Sequence, residues 1–258
     1  MKNKYINNYI NLDYEQSNNI KIYRHFRFKW LINDLINNEL SLTKPDNWDD
    51  RWENFLLKSE FSLNKQKQIN SFDFANRIYS QCWTTNADES DLMWRIFNYS
   101  QDKDKTYVRV STTIGKLFNS LYKQEANYPE LSCYIGKVIY NDEKKIEKDL
   151  SNDTDLSSLL ANNGKALIST LFTKRTLFNY ENEIRILYDD VNKKNNDKLY
   201  KINMDPNEIF DEIILHPNTP NEECNEIIKI IKKEGYNNLI DQSKIYHFKN
   251  LKIDFNNQ

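Results

Sequence analysis

Three charged side chains stand two residues apart in the stretch NYENEIRILYDD (179–190): Glu181, Glu183 and Arg185. If the run is extended, these three share one face while Ile184, Ile186 and Tyr188 take the other. Two carboxylates on one face can serve the cleavage of a glycosidic bond. One stabilises the positive charge that grows on the sugar carbon in an oxocarbenium-like transition state, and its neighbour positions a nucleophile. The same face can equally be a cross-strand salt-bridge surface.

Three further stretches interleave polar and aromatic residues. Tyr23 and Arg24 lie inside the strand pattern IKIYRHF (20–26), where a planar guanidinium suits a phosphate or a carboxylate, or simply the solvent face. Trp83 and Thr84 open CWTTNADESDLMW (82–94), which runs from a strand into a helix. A hydroxyl at a strand end beside a helix N-terminus can hold a sugar or a phosphate, or act as an ordinary cap. The loop PDNWDDRWE (45–53) gathers Trp48, Asp49, Asp50, Trp52 and Glu53. Loop tryptophans cover either a core or a flat ligand, and Trp48, Trp52 and Trp94 are expected to be buried and structural.

The elements that must position these residues follow from periodicity and punctuation. Residues 1–19 are polar and Asn-rich, which predicts a loose N-terminal arm. One α+β domain is expected over 20–258, with mixed or antiparallel sheets and flanking helices. Strands are expected at 20–26, 40–45, 80–85, 105–113, 132–141, 183–188, 199–204, 210–215, 243–248 and 251–255. Helices are expected at 29–40, 64–79, 114–124 and 156–172. One more follows Asn86 and Glu89, which have capping-box spacing, and another follows Thr219 and Pro220 and stops at Gly235.

Bulk composition removes several function classes. The chain has 258 residues and a net charge of −2, so no global electrostatic pull towards nucleic acid or membranes exists. Four glycines cannot build a dinucleotide fingerprint or a P-loop. His25, His216 and His247 are isolated in sequence, so no zinc site is expected and no metal ligand is assigned. Cys82, Cys133 and Cys224 are odd in number and far apart, and no apolar run is long enough for a bilayer. A reducing, cytoplasmic setting without membrane contact is therefore expected.

Taken together, the stretches resemble a large bacterial family of unknown function. Its members show a YR near the start, a PxxFNDPF(D/E) loop, CFS…LMWxxY and a K…YExEWR strand. Here these are Tyr23-Arg24, PDNWDDRWE, CWTTNADESDLMWRIF and KRTLFNYENEIR, with EIILHP near residue 215 resembling a late EIxLGP. The sequence departs from that pattern at Asp49, Arg51, Phe97 and His216. The resemblance implies no settled activity.

The order of residues also resembles ADP-ribosyltransferases of the Arg–Ser–Glu type, and that resemblance implies specific roles. Arg24 would bind a phosphate of NAD, used as a substrate, with Tyr23 beside it. Thr84 (or Ser111, Thr112 and Thr113) would order the nicotinamide ribose. Trp83 or Tyr180 would stack on nicotinamide, Glu183 would be catalytic, and Glu181 would help choose the acceptor. The leading expectation is thus an ADP-ribosyltransferase-like fold and a toxin or anti-phage effector. It would modify an unknown protein or nucleic acid, with an antitoxin or another defence-system protein as partner. The alternatives are a metal-dependent nuclease or nucleic-acid-binding effector using Asp49, Asp50, Glu181 and Glu183, and a non-catalytic binding module.

Overall fold

The computed structural model describes residues 6–45, 48, 60–63, 67–70, 76–97, 102, 106–124, 129–146, 148, 165–192 and 197–248. Fourteen strands occur among them: β1 (Tyr9–Ile10), β2 (Lys21–Arg27), β3 (Glu39–Thr43), β4 (Glu60–Leu63), β5 (Lys67–Asn70), β6 (Ile78–Thr84), β7 (Tyr107–Thr113), β8 (Cys133–Lys137), β9 (Ile139–Asn141), β10 (Thr173–Arg175), β11 (Glu183–Asp189), β12 (Leu199–Asn203), β13 (Glu212–Leu215) and β14 (Leu239–Gln242). The helices are α1 (Tyr14–Ser17), α2 (Phe28–Asn37), α3 (Asp91–Ile96), α4 (Ile114–Gln124), α5 (Pro129–Ser132), α6 (Lys165–Thr170), α7 (Pro206–Ile209) and α8 (Asn221–Lys233). The fold is α+β, a mixed sheet with flanking helices.

The main sheet runs β1-β8-β11-β6-β2-β7-β13-β14, and it forks at β6. On one side β6 pairs antiparallel with β11 along seven residues, Glu183 opposite Thr84 and Arg185 opposite Cys82. On its other side β6 meets β2 at a single pair, Tyr23 opposite Thr84, and meets β3 at another, Thr43 opposite Ser80. β2 itself is fully zipped to β7, so the weak seam lies between β6 and β2.

Helix burial follows the 3.6-residue period. Phe28, Leu31 and Leu35 of α2 face the core, as do Ile114, Leu117, Phe118, Leu121 and Tyr122 of α4 and Cys224, Ile227 and Ile231 of α8. Trp30 and Ile36 of the same helix are exposed. Asn38, at positive φ, ends α2, and Gly235, at φ +87, follows α8. In that region a Cβ is strained, and Gly or Asn is the usual solution. The large core joins Ile22, Phe26, Trp83, Ile184, Ile186 and Tyr188 with these helices. A second cluster, Ile10, Ile78, Tyr134, Ile168, Leu171, Phe172 and Leu187, covers the opposite face of β11.

Several expectations change. The segment 1–19 is not a loose arm where it is described: Tyr9 and Ile10 are buried and pair parallel with β8, and Asn8 donates from its buried amide to the Cys133 carbonyl. The apolar residues Tyr9, Ile10, Leu12 and Tyr14 outweigh the asparagines around them, the last two packing against the core. The helix expected at 64–79 is not formed, because residues 67–70 are strand β5, paired with β4, and β6 begins at Ile78. The strand expected at 243–248 gives way to β14 at 239–242, parallel to β13. The expected strand at 251–255 lies outside the described residues. Among the described residues no helix is long and apolar enough to cross a membrane.

Candidate active site

A cleft of about 290 Å³ opens at the fork. Seven of the residues singled out from sequence, Tyr23, Arg24, Trp83, Thr84, Tyr180, Glu181 and Glu183, line it, together with His25, Cys82, Lys174 and a wall of Met93 and Ile96 from α3 and Phe97 just after it. Strand parity alone would separate two of them. Tyr23, Thr84 and Glu183 are in register across three strands, so Arg24, one residue on, belongs by parity to the other face. It reaches the cleft because β2 and β6 part after one pair. Its Nη1 donates to the carbonyl of Cys82, a group left without a β2 partner at the fork.

Arg24 is half-buried, and its Nε has no hydrogen-bond partner among the described residues. Burial lowers the guanidinium's pKa from its ordinary value, while the charges of Asp34 and Glu183 oppose the shift. Asp34 of α2 lies in a buried network of its own. It accepts from Ser41 Oγ at 3.1 Å, and burial raises its pKa to about 7.

Glu183 is 3% exposed and Arg185 is fully buried. The guanidinium forks onto the carboxylate, Nε to Oε1 at 2.7 Å and Nη2 to Oε2 at 3.0 Å. Arg185 also stacks 4.2 Å from the centre of the Trp48 ring. Burial on its own would raise the Glu183 pKa. The charge and hydrogen bonds of Arg185, with Lys174 and the Cys82 thiol behind them, outweigh it and hold the group at about 2. Glu183 is thus an anion at every working pH, and its face of β11 is packed rather than solvated.

Glu181 is not on the strand. It ends a 3-10 turn (Thr176–Glu181), and Asn182 at φ 43 redirects the chain into β11. The two carboxylates nevertheless meet through Lys174, whose Nζ lies 2.6 Å from Glu181 Oε2, 3.6 Å from Glu183 Oε2 and 4.6 Å from the centre of the Phe178 ring. Tyr180, on the same turn, is 44% exposed at the rim.

Two residues behave differently from their expected roles. The Thr84 hydroxyl donates to the Glu181 carbonyl at 2.5 Å and accepts from the Asn86 N–H at 3.0 Å, so its proton is spent on positioning the turn. Trp83 borders the cleft, but its ring packs in the main core near Phe26 and its Nε1 donates to Gln81 Oε1 at 2.8 Å. That ring is not available for stacking. Of the alternative hydroxyls, Ser111 and Thr112 are buried in β7 and neither lines the cleft. The capping box at Asn86 is not formed either. Ser90 is the N-cap, Asn86 donates to the Tyr180 carbonyl at 2.8 Å and accepts from the Asn182 amide at 2.6 Å, and Glu89 accepts from Trp94 Nε1.

Sequence reasoning passed over His25, Lys174 and Arg185 as site residues. Lys174 and Arg185 bracket the motif KRTLFNYENEIR, and that shared bracket was the available signal. His25 carried none, since its setting is made by distant residues. Its ring stacks on Phe97 with centroids 4.9 Å apart and meets Trp94 edge-on at 4.8 Å. Burial first, then the charges of Arg109 and Arg24, lowers its pKa to about 3. Trp94 itself is buried, as expected, and Trp48 is half-buried. Asp49, Asp50, Trp52 and Glu53 lie outside the described residues. Among the described residues no three His, Cys, Asp or Glu side chains group as a metal site.

No family model matches the chain, and no curated protein matches it. Solved structures of DarT from Thermus sp. 2.9 are similar in outline. The complex with NAD+ is 8% identical with a TM-score of 0.40, covering 89% of this chain and 98% of that one. The complex with ADP-ribosylated ssDNA is 11% identical with a TM-score of 0.39, covering 89% and 96%. The complex with carba-NAD+ is 10% identical with a TM-score of 0.37, covering 89% and 98%.

Proposed function

We propose that the cleft binds NAD, breaks its nicotinamide–ribose bond and passes the ADP-ribose to an acceptor. The observation that carries this reading is the meeting of Arg24 and Glu183, remote in sequence, across the fork of the sheet. The free Nε edge of Arg24 suits a phosphate oxygen. Glu183 offers a buried negative charge at the floor of the cleft. Arg185 takes two of its roughly four acceptor positions and the Cys82 thiol a third, which leaves one for a ribose hydroxyl.

The chemistry balances without an outside reagent. The C–N glycosidic bond breaks, nicotinamide leaves as a neutral ring with the electron pair, and the ribose carbon becomes an oxocarbenium ion beside Glu183. Water or an acceptor then forms the new bond to that carbon and releases a proton. Tyr180, exposed at the rim, is the aromatic available for stacking. The toxin or defence role and an antitoxin partner belong to the same proposal and follow from the resemblance rather than from the cleft.

The test is nicotinamide release from NAD by the purified protein, with and without magnesium. Glu183→Gln keeps shape and hydrogen bonding but removes the charge, so release should fall by about 100- to 1000-fold while NAD still binds. Magnesium-dependent cleavage of DNA or RNA without nicotinamide release would replace this reading with a nuclease. Silence in every assay would leave a binding module.

A further inference from the structure

Both cleft carboxylates are already matched by protein cations. Arg185 forks onto Glu183, and Lys174 lies on Glu181 at 2.6 Å. Lys174 is not a surface lysine that can swing away: its side chain is 8% exposed and held between two carboxylates and the Phe178 ring. Around the described cleft, Arg24, Lys174 and Arg185 thus stand against Glu181 and Glu183, and His25 lies among them as an uncharged ring. Glu181 is the more open of the two carboxylates, with 26% of its side chain exposed against 4% for Glu183.

We infer that Lys174, by occupying Glu181, restricts the acceptor to an uncharged nucleophile and turns away guanidinium and ammonium groups. The inference rests on the NAD reading and concerns its second half. A protonated guanidinium has no lone pair to give. It must be drawn in and deprotonated by a carboxylate, and here the exposed carboxylate carries an ammonium that repels it. A hydroxyl, a base nitrogen or water already holds its lone pair. It needs only to lose a proton as the bond to the ribose carbon forms. Lys174 is a positioning residue in this scheme, since it acts through Glu181.

The experiment incubates the purified chain with NAD and an excess of agmatine, a soluble guanidinium probe, and quantifies nicotinamide, ADP-ribose and ADP-ribosyl-agmatine. The wild type should release nicotinamide and yield no agmatine product above background. Lys174→Met keeps the length of the side chain and removes its charge, and it should raise agmatine transfer by at least about tenfold. Lys174→Arg restores a cation and should exclude agmatine again, which a merely structural lysine would not explain. Melting curves confirm that the variants fold. Nicotinamide release with efficient agmatine transfer by the wild type overturns this inference alone. Lys174→Met without a gain, or Lys174→Arg behaving like Lys174→Met, also overturns it. Absence of nicotinamide release overturns the NAD reading, and the inference with it.

Discussion

Replacing Arg185 by Met should cost the protein more than any surface substitution, and should do so in a pH-dependent way. Arg185 is fully buried and supplies two hydrogen bonds to Glu183, one to each carboxylate oxygen. Lowering that carboxyl from its ordinary 4.5 to about 2 corresponds to about 3 kcal/mol of stability. Because the folded pKa is depressed, this contribution is present above pH 4.5 and lost only as pH falls towards 2. Removing one partner of a buried pair typically costs about 3–5 kcal/mol, since the survivor keeps its desolvation penalty. For a domain of this size that is a fall in melting temperature of about 6–20 °C. Burial then governs Glu183 in the variant and raises its folded pKa above the unfolded value. The sign of linkage reverses: stability is retained below pH 4.5 and lost as pH rises through the raised pKa. Thermal melts of both proteins from pH 4.5 to 8 measure this. The gap between them should widen with pH, and Arg185→Met combined with Glu183→Gln should narrow it at pH 8. A gap of constant size across the range would refute the coupling.

Arg24→Lys should weaken NAD binding, because an ammonium cannot donate at once to the Cys82 carbonyl and in a planar fork to a phosphate; isothermal titration measures the loss. Trp94→Ala removes a ring that is 1% exposed and wedged between His25 and His216, and should cost about 3–5 kcal/mol by denaturant unfolding. His25 should show no NMR titration between pH 5 and 8, since its pKa is about 3; a midpoint near 6.5 would contradict the packed, cation-flanked setting.

The central strand was legible because period-two alternation is strict: Glu183 and Arg185 share one face of β11 and Ile184, Ile186 and Tyr188 the other. Whether the charged face is wet was not legible. It depends on Ile78, Tyr134, Ile168, Leu171 and Phe172, which arrive from β6, β8, α6 and the turn after α6 to cover it. Glu181 looked like a strand residue because i, i+2 spacing says nothing about a break between its members. Asn182, a residue tolerant of positive φ, was the one local hint. Arg24 was selected for a guanidinium that suits a phosphate, yet its access to the cleft comes from strand pairing, which local pattern does not carry. The β4–β5 hairpin and the anchored N-terminal segment were missed for a related reason. Polar, Asn- and Lys-rich stretches have weak periodicity: β4 and β5 take their form from each other, and the N-terminal strand takes its form from distant β8.

The fork has a mechanical side. Neighbouring strands rotate by roughly 20–25°, so twist accumulates across a wide continuous sheet. A seam of one residue pair interrupts that accumulation and divides the sheet into two leaves, β2-β7-β13-β14 and β1-β8-β11-β6. The leaves share Tyr23 opposite Thr84 as a pivot, and Arg24 reaches across the gap beside it. A ligand that drew the guanidinium off the Cys82 carbonyl would loosen one tie between the leaves, while Arg109 of β7 keeps its hold on the carbonyls of Asn86 and Ala87 just beyond β6.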